Sequence, residues 1–230
     1  MTAAETTVIA KFIAKGATVF DVGANRGEWS QQVLNHCQGE ARVFAFEPNP
    51  VSFSELSAWV EMSRPGSITP IEAAAAGAPG FRPFQVYDWQ DEFSGFYRRT
   101  HPVFDGRPPR TIEVRALTLD DFCLERGVRN VNFLKLDVEG AELEVLTGCR
   151  RLLAQARIDF IQFEYGGTFR DSGTRLADVF RLLQDQDYRL FKLGGELVHV
   201  PQWSDALEDW QYTNYLAIHG RLAPHCLAAV

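Results

Sequence analysis

Acidic side chains lie at or just after the ends of short apolar runs in this sequence. Asp21 lies within the run Thr18–Val22, Glu47 follows Arg42–Phe46, and Asp137 follows a later run. Apolar runs of this length predict buried strands, and the carboxyl ends of parallel strands meet at one edge of a sheet. We therefore expect these carboxylates to face one crevice, where they can accept hydrogen bonds from a ligand or take up a proton.

A glycine-spaced loop joins the first run to a helical pattern. Gly23, Ala24, Asn25 and Gly27 follow closely on Asp21. Glycine lets the backbone approach a ligand, and the free N–H groups of a helix start favour an anionic group. The spacing G-x-N-x-G departs from the G-x-G-x-x-G of dinucleotide sites. An acid beside the loop suits S-adenosylmethionine, whose cationic amino group adjoins a carboxylate. Alternatively, Asp21 only caps the turn.

A second acid has the spacing of a ribose ligand. Glu47 lies 20 residues beyond Gly27, the distance at which nucleotide-binding sheets place an acid against the ribose hydroxyls. A solvated acid at a strand end is the alternative. We assign Asn49 to the same cofactor site. Ala74 lies in a run of small residues that would let an adenine ring lie against the backbone, although close helix packing explains that run equally well.

Candidates for acid–base chemistry lie at the ends of two further apolar runs, 131–136 and 158–163, which are the fourth and fifth predicted strands. Lys135, Asp137 and Glu139 are two residues apart, so they share one face if the strand continues. Glu164 follows the fifth strand, and His101 lies in a separate polar segment. A Lys–carboxylate pair and an acidic first helical turn would explain the row of three without any catalytic role.

Length and composition fit one globular domain over residues 1–230. The chain has a formal net charge of −7, with 46% hydrophobic and 23% charged residues, as is usual for such domains. The acidic balance argues against a general nucleic-acid surface. The cysteines lack C-x-x-C spacing, so we predict reduced thiols rather than a zinc site or a disulfide framework. They are Cys37, Cys123, Cys149 and Cys226.

Two further expectations concern location and assembly. The sequence has neither a basic segment followed by an apolar core nor a run near the ~18 apolar residues of a membrane span. We therefore expect no membrane span and a cytoplasmic location. The sequence leaves the oligomeric state open, a homodimer included.

The order of predicted elements is that of an α/β protein. A helix within residues 1–16 precedes five strands that alternate with helices, the third over residues 68–76, and hairpin-like strands close the sheet. Residues 79–118 form a β-rich insertion, which we interpret as facing the substrate. The insertion is locally basic, which predicts either contact with a phosphate or carboxylate group or a solvated loop. Its basic residues are Arg98, Arg99, His101, Arg107, Arg110 and Arg115.

Four blocks, in this order, resemble the FkbM-type family of S-adenosylmethionine-dependent methyltransferases. They are VFDVGANRG at 19–27, FAFEPNP at 44–50, LTLDD at 117–121 and LKLDVEGAE at 134–142. The resemblance implies a Rossmann-like, seven-stranded class I methyltransferase sheet with helices on both faces. It also implies O-methylation of a small molecule, such as a sugar or a glycosylated secondary metabolite in natural product biosynthesis. On this likeness the methionine part is held by Asp21, Gly23, Asn25 and Gly27, and the ribose by Glu47.

The catalytic base, the acceptor and the rival functions stay open at this point. Because a hydroxyl must lose its proton, a base or a metal is needed. We expect Asp137 to bridge cofactor and acceptor, with Glu139, Glu164 or His101 as base, or Lys135 if its ammonium is desolvated. Carboxylates in one crevice also suit Mg²⁺, but we expect no metal. The rivals are a NAD-dependent oxidoreductase and a non-catalytic nucleotide-binding domain. The expected acceptor is a hydroxylated small molecule, and whether it is anionic stays open.

Overall fold

Strands and helices alternate along the chain, which the computed structural model describes for residues 2–63 and 66–222. The described strands are β1 (Thr18–Val22), β2 (Arg42–Phe46), β3 (Ile68–Ile71), β4 (Ala74–Ala75), β5 (Gly80–Val86), β6 (Arg110–Leu117), β7 (Val131–Leu136), β8 (Ile158–Tyr165), β9 (Tyr188–Leu193), β10 (Leu197–Val200) and β11 (Thr213–His219). The described helices are α1 (Ala3–Phe12), α2 (Glu28–His36), α3 (Pro50–Ser63), α4 (Leu119–Glu125), α5 (Glu142–Thr147), α6 (Arg150–Ala154), α7 (Gly167–Ser172) and α8 (Leu176–Gln184).

The main sheet has the strand order β10-β9-β11-β8-β7-β1-β2-β3. The strands β1, β2, β3, β7 and β8 pair in parallel, whereas β11 and β9 are antiparallel to their neighbours. The predicted α/β sheet is confirmed, but the strand number was wrong, because the described sheet has eight strands instead of seven. The additional strand is β10, which turns back after Gly194 and Gly195 and pairs with the outer edge of β9.

Two hydrophobic cores cover the two faces of this sheet. On one face, the rings of Phe20, Phe44 and Phe46 pack against Phe122 of α4, with centroids 4.9–5.7 Å apart. The other core contains Val19 and the helices α1 and α2. Successive strand residues point to opposite faces, so each uninterrupted apolar run supplies both cores at about 1.5–3 kcal/mol per large buried side chain. The cores therefore hold the strand ends in a fixed arrangement.

The segment 68–76 was predicted as one strand, and that prediction was wrong. The pairing with β2 ends at Ile71. Ala74 and Ala75 pair instead with β6, in a separate three-stranded sheet of order β4-β6-β5. The two alternating strands predicted in residues 79–118 are confirmed, because β5 and β6 form an antiparallel ladder. Between them, the rings of Tyr87, Phe93 and Phe104 pack together.

Two short helices, α5 and α6, join β7 to β8, whereas the predicted alternation of strands and helices implied one helix there. At Gly148 the backbone packs so closely that an added Cβ would lie 2.2 Å from the carbonyl oxygen of Ala76. The carboxylate of Asp120 then accepts the N–H groups of Arg151 and Leu152, at 2.8 and 2.9 Å. This contact caps the new helix start, as acidic side chains commonly do.

The remaining expectations concern thiols and membrane spans. Cys37, Cys123 and Cys149 are free and buried, whereas Cys226 lies outside the described residues. Within residues 2–63 and 66–222, no helix has both the length and the apolar character needed to cross a bilayer.

Replacing Gly148 with alanine tests the close contact that separates α5 from α6. We expect Gly148→Ala to destabilise the protein by about 1–3 kcal/mol, the usual range for overpacking. Gly167→Ala is the matched control, because an added Cβ there meets no atom within 4 Å. Urea unfolding of both variants measures the difference. Equal free energies of unfolding for Gly148→Ala and Gly167→Ala would contradict a steric clash at position 148.

Candidate active site

The loop between β1 and α2 lies directly against the ends of β2 and β7. The N–H groups of Gly23 and Ala24 both donate to the carbonyl of Phe46, at 3.0 and 2.9 Å. Gly23 has φ +83°, and a Cβ there would lie 1.8 Å from the carbonyl oxygen of Asp137. Asn25 follows with φ +47°, which asparagine tolerates better than most residues. Only glycine fits at position 23, because the backbone of Asp137 occupies the place of a side chain.

Glu47 is bound by the backbone on both carboxylate oxygens. It accepts the N–H of Asn25 at 2.8 Å and that of Asn49 at 2.8 Å. Burial raises the pKa of Glu47 to about 7, although these two donors act in the opposite direction. Each oxygen keeps a free lone pair, so the carboxylate can still accept from ligand hydroxyls. The side chain of Asn49 accepts the N–H of Val51 at 3.2 Å and so belongs to the start of α3.

A cavity of about 300 Å³ opens over the carboxyl ends of β1, β2 and β7. One side is formed by the Gly23 loop and Glu47, and the opposite side by aromatic residues of the insertion. A second cavity of about 660 Å³ adjoins it towards α1 and α2. We use the term shared wall for the residues that line both cavities. They are Gly23, Asn25, Glu92, Asp137, Glu164 and Tyr212.

A buried ion cluster lies under this wall. Lys135 Nζ is 3.1 Å from Asp137 Oδ2 and 3.4 Å from Asp21 Oδ1, and Ser30 Oγ donates to Asp21 Oδ2 at 2.7 Å. Burial alone would lower the pKa of Lys135, but Asp137 and Asp21 outweigh it and raise that pKa well above its ordinary value. The ammonium therefore stays charged, and the expectation that Lys135 is desolvated into a base is not supported.

Arg99 forms the second ion cluster and connects the insertion to the main sheet. Its guanidinium forms an ion pair with Glu139, lies 3.1 Å from Asp171 of α7, and donates to Tyr212 Oη at 2.9 Å. The Arg99 side chain is only 4% exposed. Burial first and Asp137 second raise the pKa of Glu139 to about 7, against the effect of Arg99. Glu139 adopts φ +54°, and its carboxylate lines the first cavity.

Two further carboxyls of this region lack a cation. Burial, with Asp137 and Glu139, raises the pKa of Glu164 to about 9. Within the described ranges, no ion pair of Glu164 is found. Glu142 is 1% exposed and accepts the N–H of Val138 at 3.1 Å through Oε1, while its buried Oε2 has no partner. Burial raises the pKa of Glu142 to about 8.

Most of the residues singled out in the sequence line the two cavities. These are Gly23, Ala24, Asn25, Glu47, Ala74, Lys135, Asp137, Glu139 and Glu164. Four others lie outside both walls. Asp21 is fully buried under the loop, Gly27 packs against Leu56, and Asn49 belongs to the start of α3. His101 is exposed, and its Nδ1 accepts the N–H of Val103 at 3.3 Å, so the structure separates it from the carboxylates.

The basic residues of the insertion do not line either cavity. Arg99 is buried in its ion cluster, Arg107 lies over the ring of Trp89 at 4.7 Å, and Arg110 pairs with Asp88 at 3.0 Å. This differs from the expectation of a basic substrate contact. The physical reason is that acidic and aromatic residues close to these arginines in the fold already occupy them.

Several wall residues were missed in the sequence. Phe93, Phe96 and Glu92 come from the insertion, and Tyr212 precedes β11. The aromatic residues of the insertion were the available signal in the sequence. Only the fold of the insertion shows which of them face the sheet. Within the described residues, no group of three or more His, Cys, Asp or Glu side chains is arranged to hold a metal ion.

The sequence and the fold can be compared with known proteins. Residues 21–190 match the methyltransferase FkbM domain family, which is most of the chain. This chain belongs to the FkbM methyltransferase family. Among solved structures, the methyltransferase FkbM of Methylobacillus flagellatus is similar in fold, with a TM-score of 0.55 and 17% identity. That similarity covers 88% of this chain and 44% of the other.

Three curated relatives belong to the same comparison. The hexuronic acid methyltransferase AglP of Haloferax volcanii is 26% identical over 74% of this chain and 68% of its own length. The 2-O-methyltransferase NoeI of Sinorhizobium fredii is 29% identical over 64% and 62%. The 31-O-demethyl-FK506 methyltransferase FkbM of Streptomyces tacrolimicus is 31% identical over 58% and 59%. The matches to the second and third relatives thus span less than two thirds of those proteins.

The buried carboxyl of Glu142 predicts a pH-dependent stability. An unfolded Glu ionises near pH 4.3, whereas burial raises the folded pKa to about 8. Stability is therefore lost as the pH rises between these values. Glu142→Gln cannot ionise, so its melting temperature should exceed that of the wild type by an amount that grows from pH 5 to pH 8. In a domain of this size, each kcal/mol corresponds to roughly 2–4 °C.

Differential scanning fluorimetry at both pH values measures this difference, with the exposed Glu125→Gln as the control. A difference between Glu142→Gln and the wild type that stays constant with pH would contradict a raised pKa at this position.

Proposed function

We propose that this chain is an S-adenosylmethionine-dependent O-methyltransferase acting on a hydroxyl group of a small sugar or sugar-like molecule. The observation that carries the proposal is the geometry of the shared wall. It joins a glycine loop suited to a cofactor with carboxylates suited to a hydroxyl, in a chain of the FkbM methyltransferase family. The names of two curated relatives specify transfer to oxygen, and a third names a hexuronic acid. These names support a hydroxylated acceptor.

The residues of the first cavity fit the proposed cofactor. Gly23 lines the cavity and lets the loop pack against the backbone of Asp137, and Glu47 retains lone pairs for the two ribose hydroxyls. The small side chains at Ala73 and Ala74, with the aromatic ring of Phe96, suit the adenine ring. When bound, the cofactor supplies a methyl group activated by a positive sulfur. The first turn of α2 has free N–H groups that would favour the methionine carboxylate.

The carboxylates of the shared wall are proposed to orient and deprotonate the acceptor. Asp137 is held by Lys135 and would fix the acceptor hydroxyl near the methyl group, since positioning is the main contribution to an in-line transfer. Glu139 is held by Arg99. Glu164 has no ion pair within the described ranges, and its pKa is raised to about 9. We therefore assign Glu164 as the base that takes the hydroxyl proton.

Calorimetric titration tests the cofactor. We expect binding of S-adenosylmethionine and S-adenosylhomocysteine but not of NADH, and Glu47→Ala should weaken adenosyl binding at least about tenfold, since hydrogen bonds to a charged group contribute roughly 1.5–3 kcal/mol. Asp88→Ala, at an exposed residue outside the first cavity, is the control. Binding of NADH alone would favour an oxidoreductase. Cofactor binding without turnover on any acceptor would favour a non-catalytic domain.

The assignment of the base predicts a pH profile. A base must be deprotonated to act, and burial raises the pKa of Glu164 to about 9, so kcat/KM should increase from pH 7 to pH 9. Glu164→Gln should reduce kcat by roughly 10²-fold or more and remove this increase, while adenosyl binding is retained in calorimetry. The base lies elsewhere if Glu164→Gln binds the cofactor and keeps both the rate and the pH profile of the wild type.

A further inference from the structure

The cations of the two cavity walls are already engaged by the protein. Within the described residues, the Lys and Arg side chains that line either cavity are Lys135 and Arg26. Lys135 lies between two carboxylates, those of Asp21 and Asp137. Both carboxylates belong to the protein, so the charge of the ammonium is already compensated before an acceptor binds.

Arg26 is occupied in the same way. Its guanidinium lies 2.9 Å from Asp91 of the insertion and forms a second ion pair with Glu55 of α3. Asp91 also accepts a hydrogen bond from Ser52 Oγ at 2.8 Å. Arg26 therefore ties the insertion to α3, and its charge is shared between two carboxylates of the protein, although 45% of its side chain stays exposed.

Arg99 lies behind the wall and is paired twice as well. Glu139 and Asp171 flank its guanidinium, and Tyr212 accepts a third contact. Each of the three cations thus faces two carboxylates. Because these pairs are supplied by the fold, each Lys and Arg that lines the two cavities within residues 2–63 and 66–222 is already paired with carboxylates.

The groups that remain open to the cavities are acidic or neutral. Glu92 is exposed and lines the shared wall, and Glu164 carries a negative charge whenever it acts as a base. Glu28 adds a further exposed carboxylate in the second cavity. The neutral polar groups are amides and hydroxyls, which pair well with the hydroxyls of a polyol. They are Asn25, Ser94, Tyr212 and Asn214.

We propose that the methyl acceptor of this chain is a polyhydroxylated molecule without an anionic group, such as a neutral sugar or an amino sugar. The proposal rests on the proposed function and narrows it. It decides against an anionic acceptor, which was one of the two alternatives that the basic insertion left open. It also separates this chain from the relative named as a hexuronic acid methyltransferase. An anionic acceptor would lose its hydration and meet the exposed carboxylates of Glu28 and Glu92, with no unpaired Lys or Arg among the described residues of the cavity walls, which opposes its binding.

A first experiment needs no knowledge of the acceptor. A metabolite extract of the source organism is separated on an anion exchanger into unbound and bound pools, and each pool is incubated with the protein and trideuteromethyl-labelled S-adenosylmethionine. Mass spectrometry then reports labelled products. Label in the unbound pool is expected, and label confined to the bound pool would overturn the proposal. Label in neither pool, with cofactor binding intact in calorimetry, would overturn the proposed methyl transfer and this inference with it.

A second experiment uses matched acceptors and a matched pair of variants. The acceptors are an alkyl glucoside and the corresponding glucuronide, which differ only in a hydroxymethyl or carboxylate group. We expect kcat/KM to favour the glucoside by at least tenfold. Glu92→Gln should raise the ratio of kcat/KM for the glucuronide to kcat/KM for the glucoside by roughly two- to fivefold, as expected for one exposed charge. Glu113→Gln, exposed on β6 and outside both cavities, should change neither rate.

A wild-type preference for the glucuronide would overturn the proposal. Equal effects of Glu92→Gln on both acceptors would also overturn it, because the loss of a charge must alter the ratio of the two kcat/KM values, whereas a loss of packing alone does not.

Discussion

The buried ammonium of Lys135 is the constraint on which the rest of the site depends. A charge removed from water must be paired, and removing one partner of such a pair typically costs about 3–5 kcal/mol. Lys135 lies in β7, Asp21 in the neighbouring β1, and Asp137 at the exit of β7. The need to neutralise one cation therefore fixes two strand ends relative to each other. Gly23 then fits against the carbonyl of Asp137 because that end cannot move away.

The insertion is also held by ion pairs, one of which joins Arg82 to Glu144 of α5. Arg99 of the insertion reaches Glu139 beyond β7 and Asp171 in α7, while Arg26 beside β1 reaches Asp91 of the insertion. One arginine thus points from the insertion to the sheet, and the other from the sheet to the insertion. These ion pairs hold the insertion against the main sheet and α7.

The sequence was sufficient for features that depend on local pattern. Apolar runs placed β1, β2, β7 and β8, and the exits of those strands placed Glu47, Asp137, Glu139 and Glu164 near one crevice. It was insufficient where a distant contact decides the outcome. Gly148 interrupts a helix because the backbone of Ala76 lies beside it, and Ala74 leaves the main sheet because β6 offers a partner. Neither contact can be inferred from residues near it in sequence.

The basic segment shows the same limit for charge. Arg99 and Arg110 looked available in the sequence, since the carboxylates that engage them, Asp171 and Asp88, belong to other elements. A local excess of arginine describes composition only, whereas the field at a site depends on what each guanidinium meets after folding. Here Arg99 and Arg110 form ion pairs with carboxylates of the protein itself.

Three glutamate carboxylates of the site differ in their properties because their surroundings differ. Glu47 is bound by two backbone N–H groups, Glu139 by a guanidinium, and Glu164 by neither. Because the protonation of a carboxyl follows its partners and its burial, the first suits hydrogen bonding to hydroxyls, the second suits support of the wall, and the third suits proton transfer. The parallel sheet brings all three to one edge, and the residues beyond each strand end decide which role each carboxylate can take.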